Sequence, residues 1–426
     1  MIKAMKALLN DKRGNVLVLV GFSMPLLVGA AGLATDTVQW SLWKRQLQRA
    51  ADSAAIAGVY ALQKEVSASA AVSNDLLNTQ NTGMALNKAA EVTHPTITGY
   101  KHVTRVDLEI QNELAFSSFF MTSAPIIRAS ATAAGRPGGD YCVVSLEDGT
   151  TTGIDIGGNA DLDLGCGMIT NAKSSNNAAE ASGSAKVRAT PIAAVGGINT
   201  TNKAWTDVDD FIPYSTAMDD PFAEVSPAPP STCSGGANST KPKKGDTATV
   251  KPGCYSSLSF AGQGTTVLEA GTYYVNGGDF SIGSQATVNA TAGVTIVLTN
   301  TSTSSTAKIG SVNMNAGAEL KITAPTTGDF ANIAIYQDRR ATDSGSGGSA
   351  NSPNKINGGA ATSIEGALYF PSQQVTYNGG AGTNVKCMQL VAKRVAFLGN
   401  ANMTNKIVDG CPGITFKGSP VVRLIA

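Results

Sequence analysis

An uncharged apolar stretch near the start of the chain constrains its fold more than any other feature. Val16 to Ala34 contains 19 residues, with one hydroxyl and no charge. A helix that spans a bilayer needs about 20 predominantly apolar residues. Pro25 lies within the stretch, and membrane helices tolerate the kink that proline causes. The sequence therefore predicts a single transmembrane helix over residues 16–34.

The segment after this stretch carries apolar residues at helical spacing. They recur every three or four positions between residues 40 and 61, and most are small. A narrow seam of this kind favours close packing against a neighbouring helix. We expect the helix to continue to residue 63 and to pack through Trp40, Trp43, Leu47, Ala50, Ala54, Ala57 and Ala61.

Basic residues flank the span on both sides. Because the more basic flank usually stays in the cytoplasm, the small excess before the span predicts a cytoplasmic N-terminus and an extracytoplasmic bulk. A cleaved signal peptide, with small residues at 32–34, is the alternative. The apolar run is longer than a usual signal core and its helix continues into the seam, which favours retention. The basic residues are Lys3, Lys6, Lys12 and Arg13 before the span, and Lys44, Arg45 and Arg49 after it.

The cysteines all lie on one side of the span, beyond residue 140. An even number in such a position indicates an oxidising compartment and disulfides; six buried free thiols are the alternative. Pairing between neighbours would close three loops of similar length, but the sequence leaves the connectivity open. No CxxC motif is present, so no structural zinc is expected. The disulfide candidates are Cys142, Cys166, Cys233, Cys254, Cys387 and Cys411.

Residues 64–138 are expected to form a small membrane-proximal α+β unit. Glu65 to Val92 is rich in alanine and compatible with a helix, and Lys101 to Ile110 alternates apolar and polar residues. Alternation of this kind predicts a strand with one buried face. Ile126 to Ala133 is a second candidate strand.

Residues 139–426 are dominated by Gly, Ala, Ser, Thr and Asn, with short apolar runs between turn-forming clusters. Related phrases, such as 277–298 and 313–325, recur at the spacing of repeat proteins. Such stacked repeats favour a right-handed parallel β-helix; an antiparallel sandwich with long loops is the alternative. Residues 200–255 interrupt the pattern and are expected to be an insertion. Its aspartates could hold calcium, but a solvated loop without a metal is the preferred interpretation. These aspartates are Asp207, Asp209, Asp210, Asp219 and Asp220.

Chemistry-bearing motifs are sparse. The two histidines, His94 and His102, lie in the membrane-proximal unit, away from any cysteine or nucleophile motif. Glycan cleavage would require paired carboxylates, and only Asp338, beside Arg339, lies in a suggestive context. An ion pair between these two residues is preferred. With a net charge of +1, the chain lacks the electrostatic signature of a nucleic-acid-binding protein. We expect no enzyme activity, no cofactor and no metal site.

The N-terminal segment resembles a known family. The phrases at 13–20 and 29–34, Asp36, and above all RQLQRAADSAAIAG at 45–58 resemble the N-terminal domain of TadG-like proteins of the tight-adherence (Flp) pilus assembly apparatus. Two features depart from related patterns. The fifth residue after Gly14 is Leu19, whereas processed prepilins carry Glu there, and no von Willebrand-type metal motif is present.

The resemblance implies a membrane-anchored structural component of a bacterial inner membrane that acts beside pilin or pseudopilin-like subunits. A domain division follows: a cytoplasmic tip, span and helical extension in residues 1–63, the α+β unit in 64–138, and a β-solenoid-like extracytoplasmic domain in 139–426. The alternative function is a membrane-tethered adhesin or glycan-binding module on an envelope or surface glycan. A β-helical polysaccharide lyase is the third alternative.

Overall fold

The computed structural model of this chain divides into two units, each with its own hydrophobic core. The first contains residues 1–137 and 420–426, and the second contains 138–419. The structure describes residues 15–79, 85–98, 100, 102–136, 138–225, 230–343, 353–359, 361–378, 383–406, 415–418 and 420–425.

A single long helix dominates the first unit. Helix α1 (Asn15–Gln63) has 49 residues, a length of about 74 Å at the usual rise per residue. It runs through the apolar stretch and the seam without interruption, as the sequence predicts. A short helix α2 (Ala68–Asn74) follows; the Ser67 side chain caps it by accepting a hydrogen bond from the Ala70 amide. A π-helical turn, Asp75–Thr79, extends α2.

The sheet of the first unit is antiparallel, with strand order β1 (Glu91–Thr93), β2 (His102–Gln111), β3 (Ile126–Arg136) and β30 (Val421–Leu424). Strands β2 and β3 pair along their full lengths, from His102 opposite Gly135 to Gln111 opposite Ile126. The pairing of β30 with β3 brings the end of the chain back to this unit, although sequence analysis placed residues 420–426 with the outer domain. A 3₁₀ turn, Ser117–Phe119, lies between β2 and β3.

Parallel pairing prevails among the strands of the second unit. Two ladders are long. Ladder A contains, in spatial order, β13 (Ala237–Thr240), β16 (Ser257–Phe260), β19 (Phe280–Ile282), the start of β22 (Val312–Thr323), β24 (Asn354–Gly358), the ends of β25 (Ser363–Asn378) and β27 (Met388–Leu398), β5 (Ile154–Ile156) and β8 (Ala179–Ala181).

Ladder D contains β15 (Gly253–Tyr255), β18 (Gly271–Asn276), β21 (Val294–Thr299), β23 (Ile333–Gln337), the middle of β25, the start of β27, β4 (Asp140–Ser145), β7 (Gly167–Thr170), β10 (Ile192–Ala194) and β12 (Phe211–Pro213).

Two shorter parallel ladders complete the unit. Ladder B contains β14 (Thr247–Val250), β17 (Thr265–Leu268), β20 (Thr287–Ala290), the end of β22 and the start of β25. Ladder C contains β26 (Thr383–Lys386), β28 (Asn402–Lys406), β6 (Asp161–Asp163), β9 (Lys186–Arg188) and β11 (Trp205–Asp207). Strand β29 (Phe416–Lys417) pairs antiparallel with β4. Parallel ladders exclude the antiparallel sandwich for the described residues and confirm a mostly-β unit with parallel sheets.

The spatial order of the ladders differs from the order of the chain. Strands β4 and β5, which begin the unit, both pair with β27, which lies near its end. Strands β12 and β15 therefore occupy opposite ends of ladder D. Residues 214–225 follow β12 at one of these ends, and we call this segment the strap. Of the expected insertion at 200–255, the flanking parts contribute strands β11 to β15 to the ladders.

Burial patterns distinguish the ladders. Strands of ladder A such as β16 and β19 alternate buried and half-buried residues, so their apolar residues point to one side. Strands β21 and β23 of ladder D are buried at every position, which indicates cover on both faces. The largest fully buried side chains of this unit include Tyr273, Tyr369, Phe260, Phe280, Phe370 and Phe397.

Candidate functional site

The first half of α1 is bare apolar surface. Phe22, Leu26 and Leu27 are 77%, 75% and 67% exposed, which is unfavourable for large apolar side chains in water. Among the described residues, α1 is the one helix long and apolar enough to cross a membrane. Helix α1 is thus a candidate membrane span, in agreement with the predicted span at 16–34. The flanking Lys3, Lys6, Lys12 and Arg13 lie outside the described residues.

The second half of α1 packs on the sheet of its own unit. Leu47, Ala50, Ala54 and Ala61 of the predicted seam are buried, and Ala57 is half-buried. Leu47, Ala50 and Ala54 belong to one core cluster, which Trp43 flanks. Trp40 is 47% exposed. Most of the seam therefore packs on the sheet of the same unit and not on the second helix that the sequence predicts. The sheet residues of this cluster are Val106, Leu108, Ile110, Ile127, Ala129, Ala131 and Ala133.

Small residues let the helix and sheet approach closely. A Cβ atom at Gly58 would lie 2.5 Å from Thr104 Cγ2, and one at Gly135 would lie 2.6 Å from Gln63 Nε2. These separations are far below a normal carbon contact. The alanine-rich seam therefore serves a close helix–sheet contact, for which small side chains are as suitable as they are between helices.

Replacing Ala54 by leucine tests this assignment. Ala54 is fully buried, so Ala54→Leu should overpack the contact and lower the free energy of unfolding by about 1–3 kcal/mol. Thermal unfolding and hydrogen exchange of β2 and β3, measured on the full chain in detergent, report the change. The matched control is Ala70→Leu, because Ala70 is exposed in the same unit. Equal stability of both variants would contradict the packing described here.

Asp36 is a buried carboxylate just beyond the apolar stretch. It is 5% exposed and accepts hydrogen bonds from the Phe116 amide at 3.1 Å and from the Ser117 amide and hydroxyl at 2.5 Å each. The Ser117 hydroxyl is the main cause that holds the pKa of Asp36 below its usual value; burial opposes it and the two amides assist it. The carboxylate therefore ties the turn Ser117–Phe119 to α1.

A cleft of about 350 Å³ lies beside α1 and the β2–β3 pair. Its charged residues have partners within the unit: Arg128 Nε lies 2.8 Å from Glu109 Oε2, and Lys44 donates to the Arg128 carbonyl. Hydrogen bonds from Arg128 and Asn87 hold the pKa of Glu109 below its usual value. The charged residues that line the cleft thus make structural polar contacts with one another and do not form a convergent acid–base pair.

Disulfides link neighbouring cysteines in the second unit. Cys142 pairs with Cys166, with Cα atoms 5.8 Å apart, and Cys233 pairs with Cys254, with Cα atoms 5.3 Å apart. Cys387 is also disulfide-bonded, and Cys411 lies outside the described residues. The prediction of disulfides is confirmed, and for these two pairs neighbours join.

The predicted ion pair between Asp338 and Arg339 is wrong, because Asp338 pairs with Arg340 instead. Asp338 Oδ2 lies 2.7 Å from Arg340 Nη2 and accepts a hydrogen bond from the Thr299 hydroxyl. Burial raises the pKa of Asp338, but the bonds from Arg340 and Thr299 outweigh burial and lower it overall. The chain turns directly after β23, where the Ala341 amide donates to the Asp338 carbonyl. In this turn Arg340 pairs with Asp338, whereas Arg339 Nη2 lies 3.4 Å from Asp220 Oδ2 of the strap.

The strap is held by polar contacts along ladder D. The Tyr369 hydroxyl donates to Asp220 Oδ2 at 2.6 Å, and Arg339 Nη2 lies 3.4 Å from the same oxygen. Further along, the Tyr336 hydroxyl donates to the Val225 carbonyl at 2.9 Å. Burial, followed by the neighbouring Asp220 carboxylate, raises the pKa of Tyr369, so its hydroxyl stays protonated and keeps donating. These contacts place the strap beside β23 and β25 of ladder D.

Removing the Asp220 carboxylate should loosen the strap. Asp220→Ala leaves the buried Tyr369 hydroxyl without this acceptor, which costs about 1–3 kcal/mol. We expect faster proteolysis within residues 214–225 and a lower midpoint of thermal unfolding. Asp219→Ala is the matched control, because Asp219 is the exposed neighbour. If the two variants were cleaved at the same rate, Asp220 would not anchor the strap.

No cluster of three or more His, Cys, Asp or Glu side chains suited to a metal occurs among the residues that the structure describes. The aspartates at 207–220 therefore form no such group. His94 Nδ1 lies 3.0 Å from the Val103 carbonyl, a contact at the edge of the sheet. Sequence analysis named Asp36 only as part of the family resemblance and did not predict its contact with the turn at 117–119.

The described residues thus combine a long candidate membrane helix with a small α+β unit and a mostly-β unit with parallel sheets. Residues 14–70 match the family model described as putative Flp pilus-assembly TadE/G-like. This part of the chain is thus a TadE/G-like domain, which confirms the resemblance drawn from its sequence. Comparison with curated proteins finds no match. Comparison with solved structures finds none either.

Proposed function

We propose that this chain is a membrane-anchored, non-catalytic structural component of a bacterial Tad/Flp pilus assembly or secretion apparatus. One observation carries the proposal: the domain that matches the Flp pilus-assembly family also contains the bare apolar half of α1. A helix with this surface is stable only when lipid or other apolar helices cover it.

The proposed location is the inner membrane, with the N-terminus in the cytoplasm, residues 16–34 across the membrane, and the rest of the first unit and the whole second unit outside the cytoplasm. The Cys142–Cys166 and Cys233–Cys254 disulfides support this orientation, because such bonds persist in oxidising compartments and are rare in the cytoplasm. The excess of basic residues before the span supports the same orientation.

The proposed partners are pilin or pseudopilin-like subunits, which would contact the bare half of α1 within the membrane. Since the sheet covers most of the seam, a partner helix has access to residues 16–42 rather than to Ala50 or Ala54. A Cβ atom at Gly21 or Gly29 would have no neighbour within 4 Å outside its own stretch of helix, and small residues permit close approach between helices in lipid.

We further propose that the second unit is a right-handed parallel β-solenoid. The parallel ladders A, B, C and D support this architecture, because successive strands of one ladder are joined by chain that visits the others. A rigid stack of this kind would act as a spacer or contact surface outside the membrane.

A gene deletion with complementation tests the proposed function. We expect cells that lack the gene to lose pili and surface attachment, and the intact chain to restore both. Co-purification after cross-linking in membranes should recover pilin-like subunits. Normal piliation without the gene would contradict the proposal. If the purified chain bound polysaccharide and cross-linking recovered no pilus subunits, the adhesin or glycan-binding alternative would be favoured.

A further inference from the structure

An aromatic turn lies against α1 where the apolar stretch ends. It consists of the 3₁₀ turn Ser117–Phe119 with its neighbours Phe116, Phe120 and Met121, and we call it the aromatic turn. Phe119 and Phe120 are 82% and 80% exposed. Two adjacent exposed phenylalanines are unfavourable in water, since burying each would gain about 1.5–3 kcal/mol.

Two contacts fix the aromatic turn to the helix. The Asp36 carboxylate accepts hydrogen bonds from the Phe116 amide and from both polar groups of Ser117. The Phe116 ring occupies the space beside Gly32, where a Cβ atom would overlap it. Both contacts involve α1 residues within one turn of Ala34. The aromatic turn is thus held at a defined height along the helix.

That height corresponds to the outer edge of the bilayer. A span over residues 16–34 covers about 28 Å, close to the roughly 30 Å hydrocarbon core. Gly32 then lies just inside the core and Asp36 just outside it. Trp40 and Trp43 follow one to two turns later, and tryptophan is enriched at membrane interfaces. The polar groups near this height are paired within the chain: the Thr35 and Thr37 hydroxyls donate to helix carbonyls at 2.7 Å.

We propose that the aromatic turn is a second membrane-contacting element, which places Phe119 and Phe120 in the interfacial layer of the bilayer beside the span. Continuity with the bare apolar surface of α1 favours lipid over a protein partner. Asp36 acts as the positioning residue, because it holds the backbone of the turn against the helix. The effect is to fix the first unit at the membrane by two elements, which restricts rotation and tilt of α1. The inference rests on the proposed span.

Site-specific photo-cross-linking to lipid tests the proposal. The analogue p-benzoylphenylalanine replaces Phe119 in the full chain, which is reconstituted in vesicles of phosphatidylethanolamine and phosphatidylglycerol. After irradiation, mass spectrometry identifies lipid adducts and protein adducts. We expect lipid adducts at position 119. Replacement at Leu27, in the span, is the positive control. Replacement at Leu77 is the negative control, because Leu77 is 78% exposed and its turn contacts α1 at Ser53, through Asp75, well beyond the span.

The outcomes separate the span from the aromatic turn. Lipid adducts at 27 without adducts at 119 would overturn the proposal and leave the span intact. Absence of adducts at both positions would contradict the span as well. Adducts at 119 to a second copy of the chain, without lipid, would assign the aromatic turn to self-association and also overturn the proposal.

The role of Asp36 has its own readout. Asp36→Ala should lower the lipid adduct yield at 119 about tenfold, since several hydrogen bonds to a charged group are lost. The yield at 27 should stay unchanged. Asp36→Asn, which keeps an acceptor oxygen, should restore part of the yield. An equal fall at both positions would indicate a general loss of insertion and would contradict a positioning role.

Discussion

Arg394→Leu is expected to lower the free energy of unfolding of the second unit by about 3–5 kcal/mol. Arg394 Nη1 lies 2.5 Å from Glu147 Oε2, and Nη2 lies 2.5 Å from Asp343 Oδ1. The Arg394 and Glu147 side chains are almost completely buried, whereas Asp343 is partly exposed. Removing the guanidinium leaves a buried carboxylate without its cation, and this accounts for the size of the effect. Urea unfolding followed by circular dichroism measures it.

Arg128→Leu is the matched control for this prediction. Arg128 also pairs with a glutamate, Glu109, but its side chain is 73% exposed, and the Asn87 amide still donates to the Glu109 carboxylate at 3.0 Å. The loss should therefore be no more than about 1 kcal/mol. Adding Glu147→Gln to Arg394→Leu should recover part of the stability, because the uncompensated charge is then removed. A loss with Arg394→Leu no larger than that with Arg128→Leu would contradict a buried ionic cluster between distant parts of the chain.

The double variant Leu26→Arg/Leu27→Arg should prevent membrane insertion. Each arginine near the middle of a span adds about 2.5–3.5 kcal/mol to the free energy of insertion. The chain should then remain in the cytoplasm, away from the membrane fraction, with Cys142 and Cys166 reduced. Cell fractionation and labelling of free thiols measure both consequences.

Tyr60→Arg is the control for insertion, because Tyr60 is exposed on the same helix but lies well beyond the apolar stretch. It should leave membrane association and disulfides unchanged. Membrane-bound, oxidised Leu26→Arg/Leu27→Arg protein would contradict the assignment of residues 16–34 as the span.

Local patterns in the sequence predict the elements whose causes are local. The uncharged run at 16–34 and the spacing of the seam predict one continuous helix, because both depend on residues a few positions apart. Repeated turn clusters likewise predict many short strands with parallel pairing. The alternation at 101–110 predicts β2 for the same reason.

Contacts between distant residues are not predicted in this way. Ala54 faces β2 and β3, which lie about 50–80 positions later, and no spacing in the helix distinguishes a sheet from a partner helix. The pairing of β4 with β27 joins residues about 250 positions apart. The spatial order of the strands within the ladders therefore differs from their order in the chain, and no local pattern in the sequence indicates this. Asp338 illustrates the same limit, because its choice of Arg340 depends on how the strap engages Arg339.

The most direct test of the account is the state of the apolar stretch in native cells. Membranes washed with alkaline carbonate should retain the chain, and mass spectrometry of the retained protein should find peptides from residues 15–34. Recovery of the chain in the soluble fraction, with a mature N-terminus near Thr35, would contradict a permanent membrane anchor.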